Sequence, residues 1–153
     1  MSEATIYVHI DDREVVKLLK QLEETGKDMS SVMRQIAGIM ADAVEENFKQ
    51  QGRPDRWKAL KPATIKQRMR EGTYPKDTPI LERSGQLMRS ITSTSDSTTA
   101  SVGTIKAYAA IQQFGGMAGR GKRVRIPPRP FLALDEDDLK EIMGVITTAL
   151  KVD

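Results

Sequence analysis

The sequence predicts an α+β fold in which a long central helix packs on a small antiparallel sheet, with extended loops or arms. Apolar residues at helical spacing across residues 29–48 predict the long helix. Alternating β-branched and aromatic residues at 5–10, together with a Ser/Thr-rich stretch within 91–104, predict the strands. A Gly-rich stretch at 115–122 and the prolines within residues 127–130 predict the arms.

The N-terminal third of the sequence predicts one strand and two helices. The strand covers residues 5–10, and Asp11 caps the first helix, because Glu14 follows three residues later in a capping-box pattern. Asp28 caps the second helix, which ends before Gly52 and is roughly 30 Å long at 1.5 Å per residue. The residues of its broad apolar face are Met29, Val32, Met33, Ile36, Met40, Ala43, Val44 and Phe48.

The middle of the chain predicts two shorter helices joined by loops. Residues 53–61 form a loop around Trp57, and a proline then starts a short basic helix over residues 62–70. Residues 71–79 are rich in turn-forming residues and predict a loop, and a further helix is expected over residues 80–90. The inward-facing residues of that helix are Leu81, Ser84, Leu87, Met88 and Ile91.

The C-terminal third predicts a hairpin, a short helix and a final helix around the arm. The hairpin strands lie near 91–95 and 99–104 and are joined around Asp96, and the short helix covers residues 107–114. Asp135 caps the final helix, because an acidic first turn suits the positive end of the helix dipole. The apolar face of this helix is formed by Leu139, Ile142, Met143, Ile146 and Leu150.

The arm between these helices combines a mobile stretch with a stiff one. Residues 115–122 contain four glycines and no acidic residue, and residues 123–126 alternate as a strand does. We expect residues 115–125 to be disordered unless a neighbouring subunit orders them, because ordering costs about 1–2 kcal/mol per residue. The prolines at 127–130 fix φ near −65° and extend the backbone in advance.

Composition limits the classes of protein that the chain can represent. A length of 153 residues predicts a single domain, 1–153, that can bury its own core. The chain has no cysteine and one histidine, which excludes disulfides, thiolate catalysis and Cys-rich or His-rich metal sites. It has no apolar run suited to a signal peptide or a membrane span, so we expect a soluble intracellular product with no membrane partner.

Charge is distributed unevenly along the chain, although the net charge is only +3. Residues 1–48 carry ten acidic and five basic side chains, whereas residues 49–90 carry four acidic and eleven basic ones. Residues 115–134 carry five basic side chains and no acidic one, and residues 135–153 are acidic again. A chain with acidic ends and a basic middle is suited to self-association or to binding a charged partner at least as well as it is suited to binding nucleic acid.

No stretch of the sequence predicts a catalytic, cofactor-binding or metal site, and we expect no enzymatic activity. The densest acidic run, residues 135–138, is better explained by capping at a helix start than by metal binding. Residues 119–122 lack the spacing of a phosphate-binding loop and are not followed by Ser or Thr. Ser84 and Ser90 have no histidine in the pattern that activates a nucleophilic serine.

The basic segments are the candidates for binding a partner. Residues 53–70 and 120–129 could contact phosphates, but the few aromatic residues near them favour a solvated face or a protein interface. Trp57 and Phe131 lie among turn residues and arginines, and each either anchors a loop on the core or forms an interface hot spot. The expected partner-binding residues are Arg56, Trp57, Lys58, Lys61, Phe114, Arg120, Lys122, Arg123, Arg129 and Phe131.

An ordered set of short motifs extends through most of the chain. Its main members are Asn47-Phe48, Gly52-Arg53-Pro54-Asp55-Arg56-Trp57-Lys58-Ala59-Leu60, Ile80-Leu81-Glu82-Arg83-Ser84-Gly85-Gln86-Leu87, Gln113-Phe114-Gly115 and Ile126-Pro127-Pro128-Arg129-Pro130-Phe131-Leu132. No single motif is specific, but their order resembles the phage virion morphogenesis family. That family includes the G protein of Mu-like phages and the related tail-completion proteins of contractile-tailed phages.

The resemblance implies a structural protein, not an enzyme, that acts in tail completion or head–tail joining. It implies a ring-type homo-oligomer, contacts with phage tail or neck proteins, and a place in the virion after assembly in the host cytoplasm. Family members often carry longer insertions after the Phe-Gly turn, whereas residues 116–122 form a short loop here. The alternative function is nucleic-acid binding by segments 53–70 and 120–129, with non-specific DNA contact.

Overall fold

Helices and two small antiparallel sheets build the fold, which confirms the α+β prediction. A computed structural model describes residues 6–7, 10–72, 80–81 and 85–151 of the chain. The described strands are β1 (Ile6–Tyr7), β2 (Thr92–Ser95), β3 (Ala100–Thr104), β4 (Gly116–Ala118) and β5 (Val124–Ile126). The described helices are α1 (Arg13–Glu24), α2 (Ser30–Gln50), α3 (Pro62–Arg70), α4 (Gln86–Arg89), α5 (Ala109–Phe114) and α6 (Glu136–Lys151).

Helix α2 is the packing centre that its apolar periodicity predicts. Ten of its residues are buried, so the face that α2 turns toward the core is wider than a single narrow stripe. Helix α6 packs against both α1 and α2, and strands β2 and β3 pack on α2. Each fully buried aliphatic or aromatic side chain contributes roughly 1.5–3 kcal/mol. Because α2 buries so many of them, it is the main source of hydrophobic stabilisation.

The larger sheet has the strand order β1-β3-β2 and is antiparallel throughout. Thr92 pairs with Gly103 and Ser95 with Ala100, which confirms the hairpin predicted around Asp96. The Asp96 carboxylate accepts hydrogen bonds from the backbone N–H groups of Thr98 and Thr99, and these bonds lower its pKa. Of the strand predicted over residues 5–10, the structure assigns two residues to β1, and residues 5 and 8–9 lie outside the described ranges.

Two predicted helix caps are wrong by one residue. Asp12, not Asp11, caps α1, since its carboxylate accepts from the N–H groups of Glu14 and Val15 at 3.0 and 3.1 Å. Adjacent aspartates offer the same capping chemistry, and the register of the helix decides between them. The capping position of α2 is Met29, while Asp28 supports the first turn from one residue earlier by accepting from Ser30 N–H at 3.0 Å.

The helix predicted over residues 80–90 is shorter than its apolar spacing suggests. Only Gln86–Arg89 is helical, Ile80 and Leu81 form a turn, and residues 82–84 lie outside the described ranges. Gly85 has φ +73°, a left-handed conformation that a right-handed helix cannot include. Of the residues predicted to face inward, Leu87 is buried, whereas Met88 is exposed.

The prediction that residues 115–125 lack order of their own is wrong. Strands β4 and β5 form an antiparallel hairpin, with Met117 opposite Arg125 and Ala118 opposite Val124. A short 3₁₀ turn over Arg120–Lys122 connects them. The glycines at 119 and 121 have φ of +78° and +73°, so they shape a tight connection rather than a flexible one.

Candidate partner interface

The Pro-rich segment between β5 and α6, residues 127–134, forms a strap that lies across the C-terminal end of α2. Its prolines remove backbone N–H donors, so the remaining polar backbone groups need partners from elsewhere in the fold. Those partners are side chains from α2, α5 and the loop at residues 53–61.

Phe131 fixes the strap to the core. Its side chain is fully buried, and its ring packs on that of Phe48 with 5.5 Å between ring centroids. The ring of Trp57 meets Phe48 edge-on at 5.8 Å, and its indole N–H donates to the carbonyl of Pro130 at 3.0 Å. These three rings therefore join α2, the loop at 53–61 and the strap in one aromatic cluster.

Two amide side chains satisfy the strap backbone on either side of Phe131. Asn47 Nδ2 donates to the carbonyls of Phe131 and Ala133 at 2.7 and 3.0 Å. Gln113 Oε1 accepts from the N–H groups of Phe131 and Leu132 at 3.0 and 2.9 Å, and its Nε2 donates to the Leu132 carbonyl at 3.0 Å. The strap thus has the hydrogen bonds that a neighbouring strand would otherwise provide.

Arg129 ties the strap to the loop at residues 53–61. Its buried guanidinium donates to the carbonyls of Lys58 and Ala59 at 2.9 and 3.2 Å. Burial lowers the pKa of Arg129, and the positive charge of nearby Arg68 lowers it further by a smaller amount. The side chain is used for internal positioning and has no free surface to offer a partner.

Arg53 connects the loop, α2 and α6 through a nearly buried ion-pair cluster. Its Nη1 lies 3.1 Å from Asp135 Oδ2 and its Nη2 lies 2.8 Å from Asp138 Oδ2. Its Nε donates to Asn47 Oδ1 at 2.7 Å, which orients the Asn47 amide toward the strap. Asp135 and Asp138 also accept each other's backbone N–H at 2.9 Å, a reciprocal capping box that confirms Asp135 as the cap of α6.

Asp135→Asn is expected to destabilise the protein by about 1 kcal/mol at neutral pH. A backbone hydrogen bond from Asp138 and the charge of Arg53 lower the pKa of Asp135 below its ordinary 3.8, although burial opposes them. A lowered native pKa means that the charged form stabilises the folded state at pH above 3.8. This contribution is lost as the pH falls through the native pKa.

Urea unfolding midpoints of the parent and Asp135→Asn between pH 7 and pH 3 test this expectation. Asparagine retains the capping oxygen, so the comparison isolates the charge. The difference between the two proteins should narrow below about pH 4. A difference that is unchanged across this range would show that the carboxylate charge at Asp135 does not stabilise the fold.

Two glycines allow the backbone to approach closely beside the strap. Gly52 has φ +110°, and a Cβ atom there would lie 2.5 Å from the Asp55 carbonyl oxygen. Gly115 has φ +72°, and a Cβ atom there would lie 2.8 Å from both the Ile126 carbonyl oxygen and the Pro128 nitrogen. A side chain at either position would force apart the segments that the strap holds together.

The β4–β5 hairpin projects an exposed apolar and basic surface from this anchored base. Phe114, Met117 and Val124 are 67%, 49% and 47% exposed. Exposed large apolar side chains rimmed by charge are typical of surfaces that bind other proteins. The hairpin surface, as defined here, consists of Phe114, Met117, Arg120, Lys122, Arg123, Val124 and Arg125, all of them exposed.

The structure divides the predicted partner-binding residues into exposed and buried sets. Trp57, Arg129 and Phe131 are buried and contact their own chain, so the prediction that they bind a partner is replaced by a role as anchors. The remaining residues of the predicted set are exposed on the hairpin or on the basic loop before α3. These are Arg56, Lys58, Lys61, Phe114, Arg120, Lys122 and Arg123.

Sequence reasoning does not identify Asn47, Arg53 and Gln113 as the residues that hold the strap. Asn47 and Phe131 are 84 positions apart, and Arg53 and Asp135 are 82 apart, so no local pattern reveals these contacts. All three residues nevertheless belong to the ordered motifs described above. Their presence in those motifs is the signal that marks them.

Comparison with known proteins identifies the family of the chain. The sequence model of the phage virion morphogenesis family matches residues 10–151. The chain belongs to the phage virion morphogenesis family. It is 44% identical over 131 residues to the "Mu-like prophage FluMu G protein 2" of Haemophilus influenzae, with 86% of this chain and 85% of the relative covered.

A second relative of the family is the "Putative capsid assembly protein G" of Escherichia phage Mu. The two chains are 32% identical over 143 residues, which cover 91% of this chain and 90% of the relative. No solved structure matches the chain. Family membership makes it a protein of phage particle assembly.

Across the described ranges, no helix combines the length and the apolar character needed to cross a membrane. Among the same residues, no group of three or more His, Cys, Asp or Glu side chains is arranged to hold a metal ion.

Proposed function

We propose that this protein is a structural component that completes the phage tail or joins the tail to the head, and that it does so as a ring of identical copies. The observation that carries the proposal is the exposed hairpin surface on a buried and extensively hydrogen-bonded base. A rigid base lowers the entropy lost when the hairpin docks. The partner-binding surface consists of the hairpin surface with Arg56, Lys58 and Lys61.

The names of the relatives support a role in building the particle, since one is a prophage G protein and the other refers to capsid assembly. The proposed partners are further copies of the chain and proteins of the phage tail or neck. Because the hairpin contacts are partly ionic, the free protein is expected to be monomeric at low concentration and to assemble on the growing particle. Its proposed location is the virion and, during assembly, the host cytoplasm.

Non-specific DNA binding is the second candidate function, and the exposed cations of the hairpin favour it. The two basic segments, however, provide fewer free cations than the sequence suggests. Arg53 is ion-paired, and Arg68 and Arg129 are buried. If the remaining cations bind DNA, the affinity should fall steeply as salt rises, with a slope set by the number of phosphates contacted. A protein interface predicts no such binding to free DNA.

A triple charge reversal of the hairpin tests the proposed function. The variant Arg120→Glu, Lys122→Glu and Arg123→Glu should change stability by less than about 1 kcal/mol, because all three side chains are exposed. Supplied to a phage whose own gene is deleted, it should lower the infectious titre at least tenfold, leaving unjoined heads and tails in electron micrographs.

The matched control reverses three exposed cations of α1, Arg13→Glu, Lys17→Glu and Lys20→Glu, with the same change in net charge. The control should restore infectivity and joined particles. Normal particles from the hairpin variant would contradict the proposed interface. Normal particles after deletion of the gene itself would contradict the proposed function.

A further inference from the structure

Helices α2 and α6 leave an open groove at the end of α2 that is remote from the strap. The groove has a volume of about 870 Å³ and includes apolar side chains of Val32 on α2 and of Val145 and Ala149 on α6. Lys27 lies at the α2 side and Glu141 at the α6 side. A depression of this size and lining can receive part of another protein.

Gly144 lies in the wall of this groove, in the interior of α6. A Cβ atom added there would meet nothing within 4 Å, so the packing of the chain itself does not require glycine. Glycine within a helix is less stable than alanine, and a larger side chain at this position would project into the groove. The glycine therefore keeps open a space that the isolated chain does not use.

The α6 side of the groove carries one acidic side chain, Glu141, whereas the hairpin surface is basic. Exposed Asp137 lies one turn before Glu141 on the same face of α6, outside the groove lining. The hairpin surface carries four cations and no acidic residue, together with the exposed apolar side chains Met117 and Val124. Because Met117 is paired with Arg125, one face of the hairpin presents an apolar and a cationic side chain together, and these match the apolar groove interior and Glu141.

Along α2, the groove lies toward the N-terminal end and the strap that carries the hairpin lies toward the C-terminal end. The groove contacts α2 at residues 31–35, whereas the strap that carries the hairpin is anchored at Asn47 and Phe48. These positions are roughly 20 Å apart along the helix axis at 1.5 Å per residue. A contact between the two surfaces is therefore a contact between two copies, in which each copy uses a different surface.

We propose that the hairpin surface of one copy docks in the α2–α6 groove of a second copy. This inference rests on the proposed self-assembly and names the contact that performs it. Because the two surfaces differ, the contact is head-to-tail, and repetition with a suitable rotation closes a ring. Met117 enters the apolar part of the groove, and Arg125, which is paired with Met117 and lies on the same face of the hairpin, binds Glu141.

Cross-linking tests the contact directly, because the chain has no cysteine of its own. One tagged copy carries Met117→Cys and a second, differently tagged copy carries Gly144→Cys, and both are expressed during particle assembly. A short bismaleimide should join the two tagged chains. In matched control pairs, Ser97→Cys, which lies in the exposed β2–β3 turn, replaces each partner in turn and should give no product.

A substitution at Gly144 provides an independent measurement. Gly144→Ala and Gly144→Leu should both raise the thermal unfolding midpoint, because both residues favour helix over glycine. Gly144→Ala should support a normal infectious titre, whereas Gly144→Leu should lower it at least tenfold by filling the groove.

The outcomes separate this contact from the proposed function. If gene deletion blocks head–tail joining while the 117–144 product is missing and Gly144→Leu is fully infectious, the groove contact is wrong and the function stands. If the thiol at position 144 joins only its own chain or a different phage protein, the groove contact is wrong as well. If gene deletion leaves joining intact, the proposed function is wrong, even where the cross-link forms.

Discussion

Phe131→Ala is expected to destabilise the fold by about 3–5 kcal/mol. The side chain is fully buried, and its loss removes the contact with the Phe48 ring and leaves a cavity beneath the strap. Because Phe48 also supports Trp57, the damage should extend to the loop at residues 53–61. Urea denaturation followed by tryptophan fluorescence measures the effect, since Trp57 is the one tryptophan and lies in the affected cluster.

Phe114→Ala is the control for this experiment, because it removes the same ring from a side chain that is 67% exposed. Its effect on the free energy of unfolding should be below about 1 kcal/mol, while its effect on particle assembly should be large. Equal destabilisation by the two substitutions would contradict the division between a buried anchor and an exposed interface.

Arg53→Met should cost about 3–5 kcal/mol, because breaking a buried ion pair leaves uncompensated charge. The substitution removes the cation that faces Asp135 and Asp138, and it leaves Asn47 Oδ1 without the donor that orients it. Methionine preserves much of the side-chain volume, so the loss reflects charge and hydrogen bonds more than packing.

Arg56→Met is the matched control, since Arg56 lies three residues away on the same loop and is exposed. It should change the free energy of unfolding by less than about 1 kcal/mol. An Arg53→Met variant as stable as the parent would show that the cluster at the start of α6 does not hold the strap in place.

The long helix, the β2–β3 hairpin and the final helix could be predicted from the sequence, because local periodicity determines them. The apolar spacing of α2 is sustained over several turns, and the turn at Asp96 is closed by its own side chain. The β4–β5 hairpin could not be predicted in the same way. Glycine permits both a mobile loop and a tight turn, and the pairing of Met117 with Arg125 decides between them.

The sequence predicts which basic residues the candidate interface contains, but not which of them are exposed and which are buried. The sequence identifies the basic residues of both segments, but Arg53 and Arg129 differ from exposed Arg56 through the tertiary contacts that they make. The carbonyls that Arg129 binds belong to residues 70 and 71 positions away. Burial of such a residue depends on the tertiary fold, which local patterns do not contain.

Amide hydrogen exchange, measured on the free protein and on assembled particles, tests most directly whether a fixed strap presents the hairpin to a partner. The N–H groups of Phe131 and Leu132 should be protected in both states, because Gln113 accepts their hydrogen bonds within the chain. Residues 116–126 pair only with each other, so their amides should exchange faster than the strap amides in the free protein and become more protected on assembly. Strap amides that exchange freely in the free protein, or hairpin amides unchanged by assembly, would contradict the account.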